Sequence, residues 1–215
     1  MTSRAASIAL LASALTGLWT WIRWRRTGAA VGLVLTTALM VAMNPLIGLA
    51  AAGALALSLL AMWVWQRGRS ALRADLQPLP LVSAALLLSA GVVLAAPSML
   101  NILGKASNVP TVVLDPTRGE LYALILINGA PLLFFAFLGA RAGDGAVRAF
   151  NCVLVVAGAI LLIWSAMLAM PGTIPPHGEI GNEHNLFNTA MVVLAVPAAG
   201  WIWLDPHGSV LRWLR

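Results

Sequence analysis

The chain has 215 residues, of which 60% are hydrophobic and only 9% charged, and its formal net charge is +6. Soluble domains carry about 25% charged residues, so this composition excludes a soluble globular domain with a charged surface. The basic residues stand in short clusters at the ends of apolar runs. This distribution excludes a basic stripe for nucleic acid and is typical of membrane orientation signals.

Seven apolar stretches follow one another, each near the length of a helix that crosses about 30 Å of hydrocarbon. The block from 28 to 66 is too long for one helix, and Asn44-Pro45 is predicted to divide it because proline begins a helix well and ends the preceding one. The sequence therefore predicts an all-α fold, a polytopic transmembrane helical bundle of about seven spans in a single membrane domain, 1–215. The predicted spans are 5–22, 28–43, 45–66, 79–97, 121–140, 149–170 and 187–204.

With seven spans, the Lys and Arg residues are unequally distributed between the two sides of the membrane. One side carries Arg4, Lys105 and Arg118, and the other carries the remaining ten. Because basic connections stay in the cytoplasm, we expect a multi-pass protein of a bacterial cytoplasmic membrane with its N-terminus outside and its C-terminus inside. The polar connections 101–120 and 171–186 then share the exterior side. The ten are Arg23, Arg25, Arg26, Arg67, Arg69, Arg73, Arg141, Arg148, Arg212 and Arg215.

The first polar connection ends in D-P-T-R-G-E, directly before the fifth span. Asp115 and Glu120 flank Arg118, so Arg118 is a candidate contact for a phosphate or sugar of the substrate, and the two carboxylates are candidate catalytic acid/base groups. The same residues also suit a helix start, where Asp115 is a good capping residue and Glu120 favours the first turn. The sequence leaves both interpretations open.

The second polar connection holds two of the three histidines. His177, Glu179 and His184 have side chains that bind divalent metal ions, and Glu183 is a further candidate for acid/base catalysis or for the metal. Their spacing is not that of a helical HExxH motif, so a solvated loop rich in Gly and Pro is the alternative. A divalent metal is accordingly a candidate cofactor.

Polar residues within the predicted spans are few. Asn188 and Thr189 open the last span and are predicted to cap it or to line a polar substrate pocket. Asn128 in the fifth span is a further candidate substrate-binding residue, and Asn151 lies in the sixth. No Asp, Glu, Lys or Arg lies in the middle of a span, which argues against a proton- or ion-coupled transporter.

Four segments carry a family resemblance: L-A-A-P-S-M-L-N at 94–101, D-P-T-R-G-E-L at 115–121, N-G-A-P-L-L-F-F at 128–135 and N-L-F-N-T-A at 185–190. In this order they resemble the C-terminal half of the multi-spanning proteins with the DUF2298, or YYY, domain. Asn188-Thr189 matches the N-T motif of that family, and Gly129 matches its mid-span glycine. The family is related to GT-C glycosyltransferases, which take sugars from polyprenyl-phosphate donors on the outer face.

The resemblance implies a part of a GT-C-like glycosyltransferase that acts on a polyprenyl-phosphate-linked sugar. GT-C enzymes carry an acidic motif in their first outer connection, whereas this chain has the Asn44-Pro45 turn there. The resemblance therefore also implies a shortened or split member. The alternative is a non-catalytic membrane subunit, embedded in the lipid bilayer, that docks a membrane protein partner through its outer loops.

Overall fold

The computed structural model describes residues 3–67, 78–97, 111–112, 119–142, 145–169 and 183–204. Within these ranges the chain forms seven helices and one pair of two-residue strands. Each helix overlaps one predicted apolar stretch, and the ends differ by a few residues at most. The elements are α1 (Ser3–Trp24), α2 (Thr27–Met43), α3 (Pro45–Arg67), α4 (Pro78–Ala95), β1 (Thr111–Val112), α5 (Gly119–Ala142), α6 (Gly145–Met167), β2 (Leu168–Ala169) and α7 (Glu183–Leu204).

Five helices of the described chain are long and apolar enough to cross a membrane, which places the bundle in a lipid bilayer. The other two are shorter: α2 has 17 residues, and the apolar part of α7 is Asn185–Gly200. The all-helical membrane fold is therefore confirmed, and the count of seven spans stays a prediction. The five segments are Ala5–Trp24, Pro45–Trp65, Pro78–Ala95, Tyr122–Ala142 and Gly145–Met167.

A tight turn at Asn44 separates α2 from α3. The Asn44 Oδ1 accepts a hydrogen bond from the Ile47 N–H at 3.2 Å, and the Asn44 N–H donates to the Met40 carbonyl at 2.9 Å. The two helices approach so closely that a Cβ at Gly48 would overlap the backbone of Val41. The sequence therefore turns here because it supplies a capping residue, a helix-starting proline and a glycine at the contact.

The two central helices are α3 and α6. Helix α6 packs against α1, α3, α5 and α7, while α3 packs against α2, α4 and α6. Large side chains that are fully buried between these helices include Leu55 and Leu59 of α3 and Leu154 and Leu161 of α6. The core of the bundle is thus formed around α3 and α6, with α4 and α5 nearer the periphery.

Small residues bring the last three helices together. A Cβ at Gly129 in α5 would lie 3.1 Å from the methyl groups of Leu162 in α6. A Cβ at Gly158 in α6 would overlap the side chain of Leu194 in α7. Membrane helices associate by such close van der Waals packing, because lipid gives no hydrophobic drive between them.

The α1–α2 and α5–α6 connections lie at the opposite end of the bundle from the strand pair. The ring of Trp19, near the end of α1, meets the ring of Phe150, near the start of α6, edge to face with centroids 5.3 Å apart. The start of α6, with the exposed Arg148, therefore lies at the same end as the α1–α2 connection with Arg25. The strand β2 follows the other end of α6, which is about 35 Å away along 23 residues.

Candidate functional site

The backbone of the chain joins its two polar connections. Thr111 of β1 is paired with Ala169 of β2, and Val112 with Leu168, in an antiparallel arrangement. The strand β1 belongs to the connection between α4 and α5, while β2 begins the connection between α6 and α7. The two connections therefore meet at one end of the bundle, as the sequence predicts. We call this end, with the strand pair and the first two turns of α5 and α7, the mouth.

Two helices begin at the mouth. Helix α5 starts a few residues after β1 and runs antiparallel to α6, since Gly129 meets Leu162 and Asn151 meets Gly139. Helix α7 is the next membrane helix after α6. Because connections between membrane helices lie outside the hydrocarbon, α7 begins at the same end of the bundle at which α6 ends. Helices α5 and α7 also make the most extensive helix–helix contact in the described chain. Helix N-termini carry partial positive charge and unpaired N–H groups, which attract anions.

Tyr122 is a polar side chain at the mouth that no sequence motif marks. It lies in the first turns of α5, and its Oη is buried without a hydrogen-bond partner in the described part of the protein. An unpaired buried hydroxyl costs about 1–3 kcal/mol, so native structures rarely keep one without a reason. No sequence pattern reveals that the hydroxyl of Tyr122 is orphaned. The mouth therefore contains a buried hydrogen-bonding group that has no partner among the described residues.

Asn188 and Thr189 lie in the second turn of α7. Asn188 is half-buried, whereas Thr189 is buried and its Oγ1 donates to the Asn185 carbonyl at 2.7 Å. The hydroxyl proton of Thr189 is thus used within its own helix, and only its oxygen lone pairs are left to accept. Substrate binding by these two residues stays a prediction, with Asn188 better placed to reach a ligand.

Asn128 lies apart from the mouth. It is nine residues after the start of α5, or about 13 Å along the helix axis. Its side chain is on the exposed surface of the helix, where Nδ2 donates to the Leu124 carbonyl at 2.8 Å. This position is near the middle of the span.

The following buried polar side chains of the described bundle form hydrogen bonds between or within helices. Asn151 Nδ2 donates across the α5–α6 interface to the Gly139 carbonyl at 3.2 Å. Hydroxyl groups that are buried in the helices donate instead to carbonyls of their own helix at 2.6–2.9 Å, which satisfies them without water. These are Thr37, Ser58, Ser83 and Ser165.

Two apolar grooves open sideways from the bundle. The larger, of about 520 Å³, runs between α5 and α6 and is lined by side chains such as Ala130, Phe134, Ala159 and Ile163. Ile163 lies four residues before the end of α6, about 6 Å from the mouth. The smaller, of about 300 Å³, runs between α2 and α4. Both are lined by apolar side chains, which suits hydrocarbon chains and not polar solutes.

The structure does not describe the side chains of several predicted site residues. Asp115, Arg118, His177 and Glu179 lie outside the described residues. For Glu120, Glu183 and His184 only the position on a helix is described: Glu120 is in the first turn of α5, and the other two open α7. Among the described side chains, no three potential metal ligands lie together. The catalytic and metal-binding roles therefore stay predictions.

Comparisons with protein-family models, with curated proteins and with solved structures find no match to this chain. The resemblance to the DUF2298 family is therefore untested by relatives.

Proposed function

We propose that the protein binds a lipid-linked, phosphorylated sugar at the mouth, as part of a GT-C-like glycosyltransferase of the bacterial cytoplasmic membrane. The observation that carries the proposal is the orphaned Oη of Tyr122 beside the joined connections. A phosphate or sugar hydroxyl at the mouth would give this phenol the partner that it lacks.

The helix ends at the mouth suit the phosphate. The first turns of α5 and α7 offer backbone N–H groups and the positive ends of two helix dipoles. Arg118 directly precedes α5 in the sequence and would add a charged, bidentate contact. Asn188 would donate a hydrogen bond to the sugar from the side of α7.

The groove between α5 and α6 suits the lipid. It is apolar, opens towards the bilayer, and its Ile163 end lies about 6 Å from the mouth. A prenyl chain attached to a phosphate at the mouth would descend along this groove, because both its surface and the surrounding lipid are hydrocarbon. The arginine-bearing connections at the opposite end support a cytoplasmic position for that end and an exterior position for the mouth.

A binding experiment with the purified protein in lipid nanodiscs tests this proposal. The probe is a polyprenyl-phosphate-linked sugar with a photoreactive group in the prenyl chain. We expect Tyr122→Phe to weaken binding about tenfold, the value of one well-placed hydrogen bond. Ala159→Trp, which fills the α5–α6 groove, should reduce labelling, while Ala85→Trp in the smaller groove should not. Full binding by both Tyr122→Phe and Ala159→Trp would refute the proposal.

The catalytic part of the proposal has its own test. Asp115, Glu120 or Glu183 would handle the proton of the sugar transfer, and His177, Glu179 and His184 would hold a divalent metal. Loss of lipid-linked sugar turnover in Arg118→Ala and Glu183→Ala variants would support this. Unchanged turnover in both variants would remove the enzyme interpretation and leave ligand binding alone.

A second candidate function is a non-catalytic membrane subunit that docks a membrane protein at the mouth. The pairing of β1 with β2 favours it, because joined connections present one composite surface instead of two separate loops. Purification from native membranes in mild detergent tests it. A different protein that copurifies, and is lost when residues 171–182 are replaced by a Gly/Ser linker, would support docking; purification without any other protein would contradict it.

A further inference from the structure

Asn128 is the polar side chain that the functions above leave unexplained. It lies close to the centre of α5 (Gly119–Ala142), which is a membrane-spanning helix by length and composition, and its side chain is exposed. At this depth neither water nor lipid headgroups are present to satisfy a side-chain amide. An exposed Asn in the middle of a span therefore calls for a polar partner outside the described bundle.

The amide of Asn128 has unused hydrogen-bonding capacity. One N–H of Nδ2 donates to the Leu124 carbonyl, which leaves the second N–H and both lone pairs of Oδ1. Thr36 of α2 differs from Asn128, because it is half-buried and donates its single hydroxyl proton to the Gly32 carbonyl. Thr36 retains no donor, whereas Asn128 retains both a donor and an acceptor.

The residues around Asn128 form a continuous stripe on α5. Leu124, Asn128, Pro131 and Phe135 are all exposed and follow one another at spacings of four, three and four residues. This is the spacing of a helix–helix packing seam, in which a single Asn fixes the register. Pro131 also lacks an N–H, so the carbonyl of Ile127 loses its regular helical hydrogen bond and is a further acceptor beside the amide.

We propose that the protein forms a two-fold symmetric homodimer in the membrane through this α5 stripe, with the Asn128 amides of the two copies hydrogen-bonded to each other. A group that carries donor and acceptor together is complementary to its own two-fold image, as an isologous interface requires. Asn128 lies about 160° around α5 from Ala130, which lines the α5–α6 groove. Asn128 and the Ala130 side of the groove therefore lie on different faces of the helix.

Oxidative crosslinking in native membranes tests the dimer. In a Cys152→Ala background, Leu124→Cys places a thiol on the stripe, and Leu126→Cys places one at a similar depth on another face of α5. We expect a disulfide-linked dimer from Leu124→Cys and little from Leu126→Cys. Equal crosslinking at both positions, none at Leu124→Cys, or crosslinking to a different protein would overturn the proposal.

A measurement without new cysteines tests the role of the amide. In mild detergent, light scattering should report a dimer for the wild-type protein, and Asn128→Leu should raise the dimer dissociation constant about tenfold or more. Thr36→Val, the matched control on α2, should leave the dimer unchanged. A wild-type monomer, or a dimer that Asn128→Leu does not weaken, would contradict the proposal.

Discussion

The Nδ2 of Asn151 in α6 donates a hydrogen bond to the backbone carbonyl of Gly139 in α5, 3.2 Å away. It is a polar bond between two helices at a buried position, since Asn151 is 4% exposed. Together with the contact of Gly129 with Leu162, it fixes the antiparallel register of α5 and α6. This register positions the start of α5 beside the end of α6, where the mouth lies.

Replacing Asn151 by Leu should destabilise the protein by about 1 kcal/mol, because interhelical hydrogen bonds in membranes contribute about that much. Unfolding in increasing fractions of SDS in mixed micelles measures the change. Thr36→Val is the control, because that hydroxyl bonds only within α2. Equal stability of Asn151→Leu and wild type would mean that the bond does not hold the register.

Gly158→Ala should lower the stability by roughly 1–3 kcal/mol, because the added methyl group overlaps the Leu194 side chain. Gly91→Ala in α4 is the matched control, since a Cβ there meets nothing within 4 Å. The control should be neutral or slightly stabilising. Leu194→Ala combined with Gly158→Ala should lose less than the sum of the single changes, and strict additivity would argue against this α6–α7 contact.

Gly48→Ala should be more harmful than Gly158→Ala. At Gly48 the added atom meets the backbone of Val41, which has no rotamer with which to withdraw. We therefore expect the α2–α3 hairpin to open and the yield of folded protein to fall. Gly32→Ala in α2, where a Cβ meets nothing within 4 Å, serves as the control in fluorescence-detected size-exclusion chromatography. A normal profile for Gly48→Ala would show that the turn is looser than described.

Tyr122→Phe should stabilise the ligand-free protein while it weakens ligand binding. The substitution removes a buried hydroxyl that has no partner among the described residues, so its desolvation cost of about 1–3 kcal/mol is removed as well. Thermal unfolding without and with the lipid-linked sugar measures both effects. A lower melting temperature without ligand would indicate that the hydroxyl already has a partner within the protein.

The helices were predictable because long apolar runs and the Asn44-Pro45 break mark them directly in the sequence. The packing of the helices against one another was not predictable, because lipid and the protein interior are equally apolar. Leu81 and Leu86 of α4 illustrate this, since the first is 72% exposed and the second fully buried. No hydrophobic pattern distinguishes a side chain that faces lipid from one that faces another helix.

The mouth was predictable as a shared end, because two predicted spans separate the polar connections and return the chain to the same side of the membrane. The strand pair and the buried phenol at the mouth were not predictable. The strands β1 and β2 have two residues each, too few for an alternating pattern to appear. The orphaned phenol of Tyr122 depends on which side chains surround it, and sequence spacing does not report that.

The meeting of the two polar connections at one mouth can be tested with a disulfide between β1 and β2. In a Cys152→Ala background, Thr111→Cys and Ala169→Cys occupy paired positions, and paired Cα atoms about 4.5–5.5 Å apart suit a disulfide. We predict that this double variant forms an intramolecular disulfide under mild oxidation. Thr111→Cys combined with Arg25→Cys, at the opposite end, should form none. Free thiols in the first variant under conditions that oxidise exposed cysteine pairs would show that the two connections do not meet.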